Sequence, residues 1–214
     1  MSDFSEELRG TAEEVAARIL DAPGSGLRRR IAAIAGPPGS GKSTLAEAVV
    51  AALVGRGEAA VLMPMDGFHL DNRLLEPRGL LPRKGAPETF DFGGFAATLA
   101  RVRREPSVIL PVFDRTREIA IAGAEEIRPE TTLVVAEGNY LLLDEDPWRD
   151  LARLWDFSVF LDVGEAELER RLIDRWLGFG YAPEAAREKA LGNDIPNGRR
   201  VIGAVVAPDL RLSP

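Results

Sequence analysis

One octapeptide limits what this chain can fold into. Gly36-Pro37-Pro38-Gly39-Ser40-Gly41-Lys42-Ser43 satisfies G-x-x-x-x-G-K-[ST] at every fixed position. An apolar run, Ile31–Ala35, precedes it and fits a buried parallel strand. Residues 42–54 follow and read as a helix that ends near Gly55 and Gly57. A glycine-rich turn in that context points successive backbone N–H groups at phosphate oxygens, and the helix N-terminus adds partial positive charge. Gly36, Pro37, Pro38, Gly39, Ser40, Gly41, Lys42, Ser43 and Thr44 are therefore the candidate nucleotide-binding residues. Lys42 is placed to reach the β- and γ-phosphates, Ser43 to ligate Mg2+, and Thr44 to serve the neighbouring phosphate. The bland alternative is a glycine-rich turn that binds nothing, and the flanking strand and helix argue against it. The motif speaks for nucleotide binding and leaves the reaction open.

The rest of the chain alternates between strand-like and helix-like segments. An amphipathic helix is expected over 3–20 and is broken by the DAPGSG stretch at 21–26. Strands are expected at Ala59–Met63, Ser107–Phe113, Thr131–Ala136 and Trp155–Val163, and helices at 95–104, Pro147–Leu154, 165–177 and 183–191, the last before a loop NDIPNG. Residues 64–91 hold prolines, glycines and basic side chains and predict irregular structure with at most a short helix, a length of loop that is usually functional. Residues 116–128 suit a hairpin, REIAI–AGA–EEI, whose edge is available for pairing as a homodimer. Strands alternating with helices imply an α/β sandwich of three layers: a mostly parallel sheet with helices on both faces. A chain of 214 residues accommodates this as one domain, with 165–191 as a helical lid.

Composition removes several classes of function. The chain has no cysteine, so disulfides, thiolate zinc sites and cysteine nucleophiles are excluded. Its formal net charge of −7 argues against general nucleic-acid binding. The polar, acidic start MSDFSEELRG is unlike a secretory signal, and no apolar run reaches the ~18 residues a membrane helix needs. The expectation is a soluble, cytoplasmic protein acting on a small molecule, with no nucleic-acid or membrane partner.

Carboxylates at strand ends are the next candidates, because strand C-termini in parallel sheets gather around the ligand crevice. Asp66 ends the second strand in Met65-Asp66-Gly67-Phe68-His69 and could orient an acceptor hydroxyl and take its proton; equally, it could cap a turn with Gly67. His69, the sole histidine, is a candidate substrate contact or a satisfied polar residue. Asp71, Arg73, Arg78, Arg83, Lys84 and Glu88 form a charge run that reads either as a solvated loop or as an acceptor site. Glu137 closes TTLVVAE and is placed to hold Mg2+, and Asp114 is expected on the same sheet edge; either could instead pair with an arginine. Arg171 and Arg175 share a helix face and could close over a transferring phosphoryl group, or Arg171 could simply pair with Glu167 one turn away.

Together these segments resemble the branch of P-loop kinases that includes bacterial-type pantothenate kinase, uridine kinase and phosphoribulokinase, over roughly residues 28–200. The more specific part is Asp66-Gly67-Phe68, Arg78-Gly79-Leu80 and Arg83-Lys84-Gly85-Ala86-Pro87-Glu88-Thr89-Phe90-Asp91, similar to the D-G-F, R-G-L and K-G-x-P-E-S-Y-D of pantothenate kinase. Glu137-Gly138-Asn139 resembles that branch's E-G strand end. The resemblance is closest to a bacterial subgroup described as fructose transport system kinases or fructokinase-like proteins. It implies a P-loop NTPase fold, ATP and Mg2+ as cofactors, and transfer of the γ-phosphoryl group to a hydroxyl of a sugar, nucleoside or pantothenate-like acid. It implies Asp66 as base, Lys42 with Arg171 or Arg175 stabilising the moving group, Ser43 and Glu137 at the metal, and Asn197 near the nucleotide base. His69, Arg78, Lys84, Phe90, Asp114 and Arg115 become the candidate acceptor contacts. Phe113-Asp114-Arg115 stands where pantothenate kinases carry a hydroxyl-rich segment, which leaves the acceptor open. The rivals are a nucleoside kinase and a regulatory NTP-hydrolysing protein; the latter lacks an N-K-x-D motif here.

Overall fold

The apolar run before the glycine-rich loop is buried on both sides. The computed structural model describes residues 4–213. Its strands are β1 (Arg30–Ala35), β2 (Ala60–Pro64), β3 (Val108–Asp114), β4 (Ile119–Ile127), β5 (Leu133–Gly138), β6 (Phe157–Leu161) and β7 (Leu210–Leu212). Five of them form one parallel sheet in the order β2-β5-β1-β6-β7, and β3 and β4 pair antiparallel apart from it. The α-helices are α1 (Glu6–Asp21), α2 (Lys42–Gly55), α3 (Asn72–Leu75), α4 (Phe92–Val102), α5 (Glu165–Gly178), α6 (Pro183–Lys189) and α7 (Ile195–Gly203).

Successive side chains of a strand face opposite sides, which divides the core in two. Ile31, Ala33 and Ala35 of β1 join Val134, Ala136 and Phe160 beneath α4 and Trp148. Ala32 and Ile34 join Leu133, Val135 and Val159 beneath α1 and α2. This is the expected three-layer α/β sandwich. Helices α5 and α6 fall within residues 165–191; a π-helical turn at Ala190–Asp194 and α7 follow, with Leu168, Leu172, Ala190 and Ile195 in a small core of their own. Among the described residues no helix is long and apolar enough to cross a membrane.

Several boundaries differ from the sequence expectation. The N-terminal helix starts at Glu6, with the Ser5 side chain accepting from Leu8 N; Asp3 lies outside the described residues. Helix α4 starts before Gly93-Gly94 because Asp91 caps it, accepting from Gly94 N at 2.9 Å. The hairpin expected over 116–128 is not formed: Ile119–Ile127 is one strand, and its partner is β3. Ala122-Gly123-Ala124 is an irregularity opposite Pro111, not a turn. Pro111 has no N–H to give the ladder, so the pairing lapses there. The reversal falls instead at 115–118, where Asp114 accepts from Arg117 N at 2.9 Å and Glu118 takes φ 55°. Asp114 is consequently not on the main sheet edge beside Glu137, as the sequence reading placed it. The expected NDIPNG loop is helical, because Pro196 falls in the first turn of α7, where no N–H partner is needed. Strand β7 is unforeseen; Asp209 steers it onto β6 by accepting from Ser158 N (2.8 Å) and Oγ (2.6 Å).

Arg29 joins the layers. Only 1% exposed, its guanidinium donates to the carbonyls of Val102 (2.8 Å), Glu105 (2.6 Å), Pro106 (2.6 Å) and Arg128 (2.9 Å). It thereby ties the end of α4 and both open ends of the β3–β4 pair to β1. Arg29→Leu is expected to lower the unfolding free energy by about 3 kcal/mol or more, since each buried carbonyl left unpaired costs about 1–3 kcal/mol. Urea denaturation measures this, and a loss below about 1 kcal/mol would contradict the assignment.

Candidate active site

The glycine-rich loop leaves β1 where β5 and β6 flank it. A Cβ at Gly36 would meet Ser40 Oγ at 2.8 Å and Leu161 Cβ and O at 3.1 Å, so only glycine lets the loop curl this closely onto β6. Lys42 opens α2 and places Nζ 3.5 Å from Glu137 Oε1, on the neighbouring strand end. Glu137 is buried at 5% exposure. Burial pushes its carboxyl above the ordinary range; Lys42 opposes this most, Asp66 adds to it, and Ser43 opposes it. Thr44 is exposed on the first turn of α2.

Two cavities adjoin this pair. The larger, of 740 Å³, is lined by Lys42, Asp66, His69, Lys84, Phe90 and Arg115 among others, and on the lid side by Arg175 and Trp176. The smaller, of 210 Å³, holds Ser43 and Glu137. Asp66, Phe113 and Arg115 line both. Asp66 sits in a single helical turn, Met65–Phe68, at the end of β2, and its carboxylate is ion-paired with Arg115. A Cβ at Gly67 would lie 2.4 Å from Pro111 O, so the glycine admits the β3 backbone against this turn. That approach brings Phe113 and Arg115 to Asp66 and His69.

His69 is held between rings, with centroids 4.1 Å from Phe90 and 4.4 Å from Phe113, and its Nδ1 is 2.8 Å from Asp66 O. Burial pushes it below its ordinary range, against the pull of Asp66, so the ring is neutral at pH 7. Lys84 donates to Asn72 Oδ1 (2.9 Å) and to Glu118 O (2.7 Å), which pins the β3–β4 turn onto the acceptor loop. The Tyr140 hydroxyl donates to Gly85 O and anchors the same loop from β5's end.

On the lid, Arg171 donates to Glu167 Oε1 (2.7 Å) and to Ser40 O (3.2 Å), so it touches the phosphate loop while making the helical pair weighed above. Arg170 and Arg171 together hold the Glu167 carboxyl down to about 2. Arg175 instead faces the larger cavity, bonded to Asp194 Oδ2 at 3.0 Å. Asp194 also accepts from Trp176 Nε1 at 2.7 Å, and Asn193 donates to Lys84 O at 2.9 Å. The π-helical turn therefore links α5 to the 64–91 loop.

The fold thus brings together Lys42, Ser43, Asp66, His69, Lys84, Phe90, Arg115, Glu137 and Arg175. Arg78 is exposed and lines neither cavity, and Asp114 is turned to Arg117, which holds it below its ordinary range. Asn197 is buried on α7, 3.3 Å from Asn193 Oδ1. Asn72, Tyr140, Trp176 and Asp194 escaped the sequence reading, because only tertiary contacts bring them to the cavity or its walls.

Buried polar atoms without a partner are few in folded proteins, and water, an ion or a ligand can supply the missing partner. Among the described residues these are Arg29 Nε, Ser40 Oγ, Asn139 Oδ1, Arg175 Nε and Asn197 Oδ1. Four of the five lie on the phosphate loop, just after Glu137, or on the helices over the loop. Of these four, Ser40 Oγ and Arg175 Nε can donate to phosphate oxygens, whereas Asn139 Oδ1 and Asn197 Oδ1 only accept and need an N–H or O–H partner; the site fits a nucleotide, whose base and ribose carry such groups beside the polyphosphate. It also fits Mg2+, which keeps waters and takes one or two protein ligands beside phosphate oxygens; Ser43 and Glu137 could hold it, and no cluster of three or more His, Cys, Asp or Glu occurs among the described residues.

The Phosphoribulokinase / Uridine kinase family model matches residues 31–190. A crystal structure from Silicibacter sp. TM1040, provisionally described as a fructose transport system kinase, is 50% identical, with a TM-score of 0.89 over 96% of this chain and 98% of that one. The uncharacterised protein YggC of Escherichia coli K12 is 37% identical over 177 residues, 82% of this chain and 73% of the relative. A Schizosaccharomyces pombe protein provisionally described as a uridine kinase is 31% identical over 195 residues, 86% of this chain and 83% of the relative.

Gly67→Ala tests how the site is assembled. The added methyl is expected to push Pro111, and with it Phe113 and Arg115, off the acceptor loop. Nucleotide affinity by titration calorimetry should stay within about threefold, while acceptor-dependent turnover falls about 100-fold, the scale of a 1 Å misplacement.

Proposed function

The chain belongs to the phosphoribulokinase/uridine kinase family, and from that premise we propose that it transfers the γ-phosphoryl group of ATP to a hydroxyl of a small metabolite, with Asp66 as the base. A sugar such as fructose is the acceptor that the Silicibacter relative's description suggests. The observation that carries the reading is the position of Asp66: it lines both the cavity with Ser43 and Glu137 and the larger cavity beside Lys42.

ATP with Mg2+ supplies the transferable group and much of the charge neutralisation. The backbone N–H groups of the 36–43 loop and the N-terminus of α2 would hold phosphate oxygens, and Ser43 and Glu137 would hold the metal. Lys42 exchanges its contact with Glu137 for the phosphates. Arg175, with an unpartnered buried Nε at the cavity, neutralises charge on the moving group, and Arg171 steadies the loop through Ser40 O. Asp66, released from Arg115, accepts the hydrogen bond of the acceptor hydroxyl and then its proton, as the hydroxyl oxygen bonds the γ-phosphorus and the bond from that phosphorus to the bridging oxygen of the departing ADP breaks. Closure of α5 and α6 excludes water, so the phosphoryl group reaches the acceptor and is not hydrolysed.

Asp66→Asn is expected to lower kcat by about 100- to 10,000-fold, the usual scale for loss of a general base, with ATP affinity kept. Coupled ADP-release kinetics and titration calorimetry measure the two. Undiminished turnover in the variant would remove Asp66 as the base.

A further inference from the structure

Asp194 is a carboxylate in a cavity that also holds the phosphate-facing Lys42. It ends the π-helical turn Ala190–Asp194, and its side chain is 13% exposed. A negative charge there repels a bound polyphosphate, so Asp194 lowers nucleotide affinity unless a cation offsets it. The offset comes from α5. Asp194 Oδ2 accepts from Arg175 Nη2 at 3.0 Å and from Trp176 Nε1 at 2.7 Å. These are successive residues, about 100° apart around the helix, and one oxygen draws their side chains together. The Arg175 guanidinium lies over the Trp176 ring, with Cζ 5.3 Å from the centroid. It is thereby held at one nitrogen by charge and across one face by the ring.

The three arginines of α5 differ in the donors they have left. Arg170 commits Nε and Nη2 to Glu167 and Nη1 to Asp174. Arg171 commits Nε to Glu167 and Nη1 to Ser40 O. Among the described residues Arg175 bonds only Asp194, and its buried Nε has no partner. It is the arginine that a carboxylate directs and that still has a buried donor for a ligand. A long arginine side chain has many rotamers, and one without such a contact samples them.

Asp194 is held in turn. Its neighbour Asn193 donates to Lys84 O at 2.9 Å, and Tyr140 fixes the same stretch of chain through Gly85 O. The 64–91 loop therefore positions Asp194, and Asp194 positions Arg175. Turns of π-helix occur frequently at functional sites, and this one brings Gly192, Asn193 and Asp194 onto the cavity wall.

We propose that Asp194 is a positioning residue for phosphoryl transfer: its carboxylate, anchored also by Trp176 Nε1, aims the Arg175 guanidinium at the phosphoryl group as it passes from ATP to the acceptor hydroxyl. This rests on the kinase reading with Arg175 as the cation on the moving group. Asp194 acts through Arg175 and exchanges no proton. The bond from the acceptor oxygen to the γ-phosphorus forms, the bond from that phosphorus to the bridging oxygen of ADP breaks, and Asp66 takes the hydroxyl proton.

The test uses the full chain. Turnover is followed as ADP release with ATP, Mg2+ and fructose, and with glycerate, uridine and pantothenate in the same way. Asp194→Ala is expected to lower kcat about 100-fold, the scale of a 1 Å misplacement, with KM for ATP kept within about threefold. Asp194→Asn keeps an oxygen for Trp176 Nε1 but no charge for Arg175, and should lose about tenfold. Arg175→Ala should lose at least as much as Asp194→Ala. In that background Asp194→Ala should cost no more than about a further threefold, because the group it directs is gone. Binding gives a readout without turnover. Affinity for MgADP with aluminium fluoride, a mimic of the transferring phosphoryl group, should fall about 100-fold in Asp194→Ala, and affinity for MgADP alone should hold within about threefold. Losses that multiply in the double variant, or equal weakening of MgADP with and without aluminium fluoride, make Asp194 a structural tie and overturn the proposal. Failure of both Asp194 variants to fold, read by thermal denaturation, does the same. Undiminished kcat in Asp194→Ala beside an inactive Asp66→Asn overturns it and leaves the kinase reading standing. Equal ADP release with and without every acceptor removes the kinase reading and this proposal with it.

Discussion

Strand β1 has no free face and no free edge. Its side chains alternate between two cores, and β5 and β6 hydrogen-bond its two edges. A strand so enclosed delivers its last residue, Ala35, to one place, and the chain must turn there in the space between Leu161 and the start of α2. Gly36 fits that space and a larger residue does not. The phosphate cradle, the position of Lys42 and its contact with Glu137 on the adjacent strand all follow from this enclosure. Burial of Glu137 is costly unless its charge is matched, and Lys42 supplies the match.

The acceptor side is built on a different principle. Few of its walls belong to the sheet. The turn after β2, the 64–91 loop, the β3–β4 pair and the lid meet through specific polar contacts: Asp66 with Arg115, Lys84 with Asn72 and Glu118, Asn193 with Lys84 O, Asp194 with Arg175 and Trp176. Each contact is individually weak where solvent reaches it. The permanent anchors lie deeper: Arg29 against four carbonyls, and Pro111 O against Gly67. The glycine-rich loop thus rests on the sheet, and the opposite wall of the cavity is assembled from loops held by side-chain contacts.

Legibility divided along the same line. Local chemistry was readable where it is local: the loop from Gly36 to Ser43, the apolar strands at 31–35 and 131–136, and the amphipathic helix at 165–177 each carry their own periodicity or spacing. Proline and glycine misled where their meaning depends on a neighbour. Gly123 read as a turn and is an irregularity forced by Pro111 across the ladder. The NDIPNG stretch read as a loop, and its Pro196 lies in the first turn of α7; the helix read as 95–104 starts earlier, with Gly93-Gly94 inside it because of Asp91. Asp114 was placed with Glu137 on the assumption that every strand joins one sheet.

By itself, then, the sequence determined the fold class, the phosphate-binding loop and the set of charged residues available to a reaction, because these are written in short-range pattern. Only the tertiary structure decided which of those charges remain uncompensated. Arg83 finds Glu88 five residues away, but the partners of Lys84 and Arg115, Glu118 and Asp66, lie 34 and 49 residues away along the chain. Pairing depends on distance in space, and a linear pattern does not carry the packing of β3 onto the turn at Asp66 that sets those distances.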